Sequence, residues 1–278
     1  MRSAVLIALA LAVAGARAEG LSTPIVASPP PVAAEGGRAA RIDAAITRVS
    51  AYFARVGTRI KELDVIMVTS LLSRHFGIRL DMPTLEECYQ RLPQLRFKQF
   101  QLHDLFFADR RVPPGPLAST AEYLQRTYGR SIDGLTDWSM YCHAIPLPAD
   151  FVQVLTRVLD QGGYWVPHAG LQLRNALINR CLTRTPEVDK LESEIVRRLR
   201  EGIDGGSVTD DIRIESIVIL YYLGRGDAVR PSDLDWILDH QRPDGGWLPR
   251  AEATESHNHT SMLALWGLLE ARSHPAAR

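Results

Sequence analysis

A pair of adjacent glycines returns along the second half of this chain at a nearly fixed interval: Gly162-Gly163, Gly205-Gly206 and Gly245-Gly246, in steps of 43 and 40 residues. Helices commonly end on a residue with positive φ, which glycine adopts without a steric penalty. Before each pair stands a segment with helical periodicity: Phe151 to Leu159, Val188 to Leu199, and Leu234 to His240. After each pair come a loop and an apolar helix: Ala169 to Leu182, Ile212 to Leu223, and Thr260 to Leu269. A fixed period of this size marks a repeat architecture, in which each hairpin leaves an apolar face that only its neighbour can bury. The expected fold class is therefore all-α, with stacked α/α hairpins forming a toroid or a partial (α/α) barrel. At the same pitch residues 39–278 have room for about six hairpins. Six can close into a ring, and fewer make an open solenoid.

The first half is less regular. Ile42, Ala45, Ile46, Val49 and Phe53 recur on one helix face, and a second helix is expected from Lys61 to His75. Asp81-Met82-Pro83-Thr84 interrupts the chain, and Thr84 followed by Glu87 is a capping-box pattern. Shorter helices are expected over 85–92 and 97–107, then a turn at 111–116 and a helix over 117–128. Strand-like alternation is weak throughout.

Ahead of these elements, Arg2, the apolar run Ala4 to Gly15 and the small-x-small triplet Ala16-Arg17-Ala18 read as a signal peptide over residues 1–18. The run is shorter than the roughly 20 residues a membrane span needs. Residues 19–38, with Ser28-Pro29-Pro30-Pro31, read as an Ala/Pro-rich linker, leaving 39–278 as the α/α-hairpin domain. The expectation is an exported protein, periplasmic or secreted, with no stable membrane span once the leader is cut. An oxidising compartment would let one pair among Cys88, Cys142 and Cys181 bridge; buried free thiols in helices are the other reading. Lys plus Arg and Asp plus Glu are both 32, and that balance argues against a nucleic-acid partner. A small molecule, a glycan or a peptide remains.

The segment Gln241-Arg242-Pro243-Asp244-Gly245-Gly246-Trp247 resembles the Gln-x-x-Asp-Gly-Gly-Trp motif of the terpenoid cyclase and protein prenyltransferase superfamily. The resemblance covers about forty residues and extends more weakly to Gln161-Gly162-Gly163-Tyr164-Trp165 and to Asp204-Gly205-Gly206-Ser207. It implies an α/α toroid in which Gln241 and Asp244 satisfy backbone groups at helix ends, Gly245 and Gly246 make the turn, and Trp247 packs. The motif occurs in rings of very different activity, so it bears on fold rather than chemistry. Cyclases carry an Asp-x-Asp-Asp acid motif, of which only Asp210-Asp211 is present, and prenyltransferases bind zinc through an Asp-x-Cys absent from this chain. An isoprenoid- or lipid-handling role follows from the resemblance alone.

Aligning the repeats shows a polar position as well. Leu171, Ile214 and Met262 each stand three residues past His168, Asp211 and His259. Those three are expected at the N-terminal ends of consecutive inner helices, around one mouth. Two His and one Asp there have the composition of an open divalent-metal site, zinc for example. His257, Asp210 and Asp137 are reserve candidates. Asp211 also has a plain reading as a helix cap, whereas a histidine at a helix N-terminus opposes the dipole when charged. Cys142 beside His143 makes a poor dyad, because adjacent helical residues do not face each other. His75, His103 and His240 are isolated. Arg197, Arg198 and Arg200 share a helix with Glu192, Glu194 and Glu201, so a solvated face is expected. The five tryptophans (Trp138, Trp165, Trp236, Trp247 and Trp266) read mainly as packing residues between hairpins.

Two functions are compatible with this pattern. One is an exported toroid enzyme, a metal-dependent hydrolase or lyase with its site at the mouth of the inner helices. The alternative is a non-catalytic binding or scaffold protein using the concave surface of stacked hairpins.

Overall fold

The computed structural model describes residues 37–60, 62–82, 122, 124–143, 145–206 and 209–274. The expected leader, most of the linker, the helices over 85–92 and 97–107, the turn at 111–116, Cys88 and His103 lie outside them. The described residues are all-α: α1 (Arg38–Val56), α2 (Leu63–Phe76), α3 (Ile132–Tyr141), α4 (Phe151–Leu159), α5 (Trp165–Ile178), α6 (Pro186–Gly205), α7 (Asp210–Tyr222), α8 (Pro231–Asp239) and α9 (Asn258–Ser273), with short 3-10 turns at Gly57–Arg59 and Gly226–Ala228. None of these helices is long and apolar enough to cross a membrane.

The helices are of two kinds. α1 and α6 bury one stripe: Ile42, Ala45, Ile46, Val49, Tyr52 and Phe53 in the first, and Val188, Leu191, Ile195, Leu199 and Ile203 along the apolar side of the second. α7 instead buries every residue from Ile214 to Tyr221, and α9 every one from His259 to Leu269. A helix buried all round must be enclosed by other helices. The packing supplies them: α3, α5, α7, α9 and α2 form one row of neighbours, while α4, α6, α8 and α1 pack as a second row against it.

Local chemistry sets the element ends. Ser131, Thr185 and Thr209 cap α3, α6 and α7 by accepting the backbone N–H three residues on. Pro186 follows Thr185 at the first helical position, where a missing N–H costs nothing. α6 closes on Gly206 at φ 61°, the left-handed cap anticipated for the glycine pairs. α5 begins at Trp165, four residues before its expected start, because Pro167 is tolerated within a first turn.

The first hairpin packs on the last: α1 contacts α8 and α9, and α2 contacts α9. The Gln-x-x-Asp-Gly-Gly-Trp segment makes much of this junction. Gln241 Nε2 donates to the Ala45 carbonyl of α1 at 3.0 Å and to the Gly245 carbonyl at 2.9 Å, while Gln241 Oε1 accepts from Arg48 Nε at 2.8 Å. Asp244 Oδ1 accepts from the Gly246 N–H at 3.0 Å and from Ser256 Oγ at 2.8 Å. Trp247 is buried, its Nε1 donating to the Ile237 carbonyl of α8 at 2.8 Å and its backbone N–H to Ser261 Oγ of α9 at 3.0 Å. Gln and Asp thus satisfy backbone groups and Trp packs. Arg38 adds a two-pronged bond to Asp235 of α8, through Nε at 3.1 Å and a terminal nitrogen at 2.9 Å.

At the other side α3 and α5 are joined by a polar ladder on one face of α5. Gln172 donates to the Ile132 carbonyl and to Thr136, Asn175 to Ser139, and Asn179 to the Ser139 and Met140 carbonyls. Cys142 and Cys181 form a disulfide just beyond this ladder, with an S–S distance of 2.04 Å.

Candidate functional site

Burial in the inner row includes side chains that a purely structural core does not need. His168 and Glu215 are 0% exposed, His259 2% and Asp64 6%. They come from four helices: His168 from the first turn of α5, Glu215 from α7, His259 from the first turn of α9 and Asp64 from the first turn of α2.

His259 Nδ1 lies 2.8 Å from Asp64 Oδ2. A carboxylate only accepts, so Nδ1 carries the proton. His259 Nε2 is buried with no hydrogen-bond partner. Burial is the largest influence on this imidazole and pulls its pKa down. The hydrogen bond to Asp64 and the charges of Asp211, Asp64 and Glu215 together outweigh it, raising the pKa to about 9. His259 is thus a buried cation at neutral pH, although a positive charge at a helix N-terminus opposes the dipole.

Glu215 behaves the other way. Burial pushes its carboxyl up to about 8; the charge of His259 opposes this and that of Asp211 adds to it. Neither carboxyl oxygen has a hydrogen bond. His168 is held neutral, its pKa lowered to about 3 by burial and then by the charge of His259. His168 Nε2 stands 3.3 Å from Glu215 Oε1, close enough for an ion pair, but the two are not aligned for a hydrogen bond. The contact is an ion pair by distance only, because burial favours the uncharged form of both partners at pH 7. The Tyr164 ring covers His168 with centroids 4.2 Å apart.

A second, shallower set adjoins this one. Thr260 Oγ1 donates to Asp211 Oδ1. His257 Nδ1 is 3.0 Å from the same Thr260 oxygen, and the His257 and His259 ring centroids are 6.0 Å apart. Burial lowers the pKa of half-buried His257, with Asp211 opposing.

The residues singled out by sequence fall in different places. His168 and His259 are both in the buried cluster. Asp211 is at its rim, turned to Thr260. His257 is the N-cap of α9, Asp210 is half-buried at the first position of α7, and Asp137 is buried on α3. Among the described residues no group of three or more His, Cys, Asp or Glu is placed to hold a metal ion. The expected zinc set of His168, Asp211 and His259 does not fit such an ion as the side chains stand.

Sequence reasoning missed Glu215, Asp64 and Thr260. Glu215 left a signal, being a lone acid within Ile214 to Leu220 and one turn beyond Asp211 on the same face. Asp64 sits likewise in the apolar run of α2. The Cys142–His143 dyad has no thiol to offer, since Cys142 is in the disulfide. His75 and His240 lie against the rings of Phe76 and Trp236. Arg197 pairs with Glu194 and Glu201 on the solvated face anticipated for it. Arg200 departs from that face: it turns to buried Asp233 of α8 at 2.5 Å, a contact between hairpins. Trp138, Trp247 and Trp266 are buried packing residues whose N–H groups are bonded to the Pro146 carbonyl, the Ile237 carbonyl and Glu270. A surface cleft lined by Ala39, Ile42, Asp43 and Arg272 lies at the other end of α9, about 20 Å along the helix axis from His259.

A scan against models of protein families and searches of curated proteins and of solved structures find no match to this chain.

Proposed function

We propose that this chain is an exported α/α-toroid protein that acts as a hydrolase or lyase by proton transfer at the His168–Glu215–His259–Asp64 cluster. The ring reading is supported by the row of enclosed helices, by the first hairpin packing on the last, and by the bonds of Gln241, Asp244 and Trp247. The Cys142–Cys181 bridge supports an oxidising compartment. The activity rests on one observation: a fully enclosed carboxyl, Glu215, with both oxygens unbonded, 3.3 Å from an equally enclosed imidazole nitrogen of His168.

Burying unpaired polar groups costs about 1–3 kcal/mol each in folded proteins. A sequence selected for stability alone would place an apolar side chain here, as it does at Ile214, Ile217, Val218, Ile219 and Leu220 of the same helix. Perturbed titratable groups of this kind collect at functional sites, and neighbours whose pKa values are pushed apart divide acid and base roles between them. His259, charged and oriented by Asp64, is suited to donate a proton. Glu215, held near neutrality, is suited to exchange one. The reaction is then hydrolysis or elimination on a small molecule, a glycan or a peptide.

The full enclosure of His168 and Glu215 favours a second reading, a binding protein whose buried polar groups serve specificity alone. Glu215→Gln separates the two. The enzyme reading expects an unchanged or raised melting temperature, with loss of product release from a panel of neutral and acidic glycans, peptides and esters on which the parent protein is active. A clear drop in melting temperature, or full retention of turnover, would sink it.

A further inference from the structure

His257 differs from the two enclosed histidines in reaching solvent. Two residues apart on a helix, side chains point away from each other. His257 escapes that rule because it is the N-cap, with extended backbone angles of φ −103° and ψ 130°, and its ring comes within 6.0 Å of His259.

The hydrogen bonds determine which nitrogen of His257 carries the proton. Thr260 Oγ1 has one hydrogen and gives it to Asp211 Oδ1, since a carboxylate can only accept. The same oxygen, 3.0 Å from His257 Nδ1, must then accept from it. Nδ1 is therefore the protonated nitrogen of the neutral ring, and Nε2 keeps a bare lone pair. The neighbouring ring is the complement: His259 Nδ1–H is taken by Asp64, and its enclosed Nε2 has no partner in the protein.

We propose that His257 is the proton acceptor that meets substrate in this site, with Thr260 and Asp211 as positioning residues that keep its Nε2 bare. The proposal rests on the acid–base reading of the cluster. In a hydrolytic step the water oxygen bonds to the electrophilic centre, and one water proton passes to His257 Nε2. The bond to the leaving group breaks, its electron pair stays on the leaving atom, and that atom takes a proton from solvent. His257 ends as a cation and then returns its proton to solvent. The other charged groups facing His257 are Glu62 and Asp64 from the α2 side and Asp211 from α7, all acidic. They stabilise the imidazolium as it forms.

The tautomer is measurable in the full chain with no substrate present, by nitrogen-15 NMR of the imidazoles at neutral pH. We expect His257 in the Nδ1–H form in the parent protein and in Thr260→Ser. Thr260→Val should move it toward the Nε2–H form that free imidazole side chains prefer. Diethyl pyrocarbonate, which attacks bare and accessible imidazole nitrogens, should modify His257 at least tenfold faster than His168 or His259. An Nε2–H His257 in the parent protein, a tautomer unmoved by Thr260→Val in a folded variant, or faster modification of His259 each overturns the proposal. These readouts need no turnover, so they fail independently of the Glu215→Gln experiment on the proposed function.

Discussion

His259 Nδ1 and Asp64 Oδ2 stand 2.8 Å apart although 195 residues separate them in the chain. This one contact joins the last helix to the first hairpin. It also orients an imidazole inside the inner row and keeps it charged against the opposing effects of burial and the helix dipole. The ends of the fold and the proposed chemistry are thus coupled through the same two side chains.

That coupling makes stability depend on pH, with a direction set by three groups. His259 has a folded pKa of about 9 against an ordinary 6.5, so its contribution is complete below 6.5 and is lost as pH rises through 9. Glu215 is raised to about 8 from 4.5; the folded chain keeps a proton that the unfolded chain has released, and stability falls between those values as pH rises. His168, lowered to about 3 from 6.5, is protonated more readily in the unfolded chain, so stability falls as pH drops through that window. The melting temperature should therefore peak at about pH 5–6.5 and decline toward pH 9. Glu215→Gln should flatten the decline between pH 6.5 and 8, and Asp64→Asn should remove much of the part that extends to 9. A flat melting curve from pH 6 to 9 in the parent protein would contradict the assignment.

Gly245 should tolerate no side chain. Its φ is +88°, and a Cβ there would lie 2.3 Å from the Arg48 carbonyl oxygen of α1. The backbone conformation alone costs an L-residue about 1–2 kcal/mol, and the clash forces α1 away from the loop that Gln241 bonds. Gly245→Ala should lose roughly 3 kcal/mol in urea unfolding, within the range of a severe backbone substitution. Gly162→Ala, also at positive φ but with nothing within 4 Å of the added carbon, should lose less. Equal losses would mean that the contact with Arg48 contributes nothing.

The Cys142–Cys181 bridge closes a loop of 39 residues between the end of α3 and the turn after α5. Chain-entropy reasoning gives such a crosslink about 4 kcal/mol at most. A Cys142→Ser/Cys181→Ser double variant should unfold at lower urea concentration by a good part of that amount. The ladder from Gln172 to Asn179 still holds α3 to α5, so the fold should survive. A double variant as stable as the parent would show that the ladder alone suffices.

The hairpins were legible because their signals are local. The caps at Ser131, Thr185 and Thr209, the left-handed glycines, and the contrast between striped and fully apolar helices all act over a few residues. The Gln241-to-Trp247 segment was legible too, as a set of groups that satisfy helix ends. Pairing of the cysteines was not, since spacing alone left a bridge and free thiols equally open.

The site was half legible, and His168 shows why. Aligned by repeat position it corresponds to Asp211, yet the side chain opposite it is Glu215, one helical turn further along α7. Helical periodicity determines which residues share a face, and Asp211 and Glu215 do share one. How deep each turn lies against the neighbouring helix depends on how α5 and α7 slide and cross when their side chains interlock. Sequence by itself therefore determined the hairpins, their order and their apolar faces, because those follow from backbone preference and from periods of a few residues. Only the tertiary structure decided that Glu215 meets His168 and that Asp64 meets His259. Those meetings depend on packing between segments far apart in the chain, and no local pattern encodes that distance.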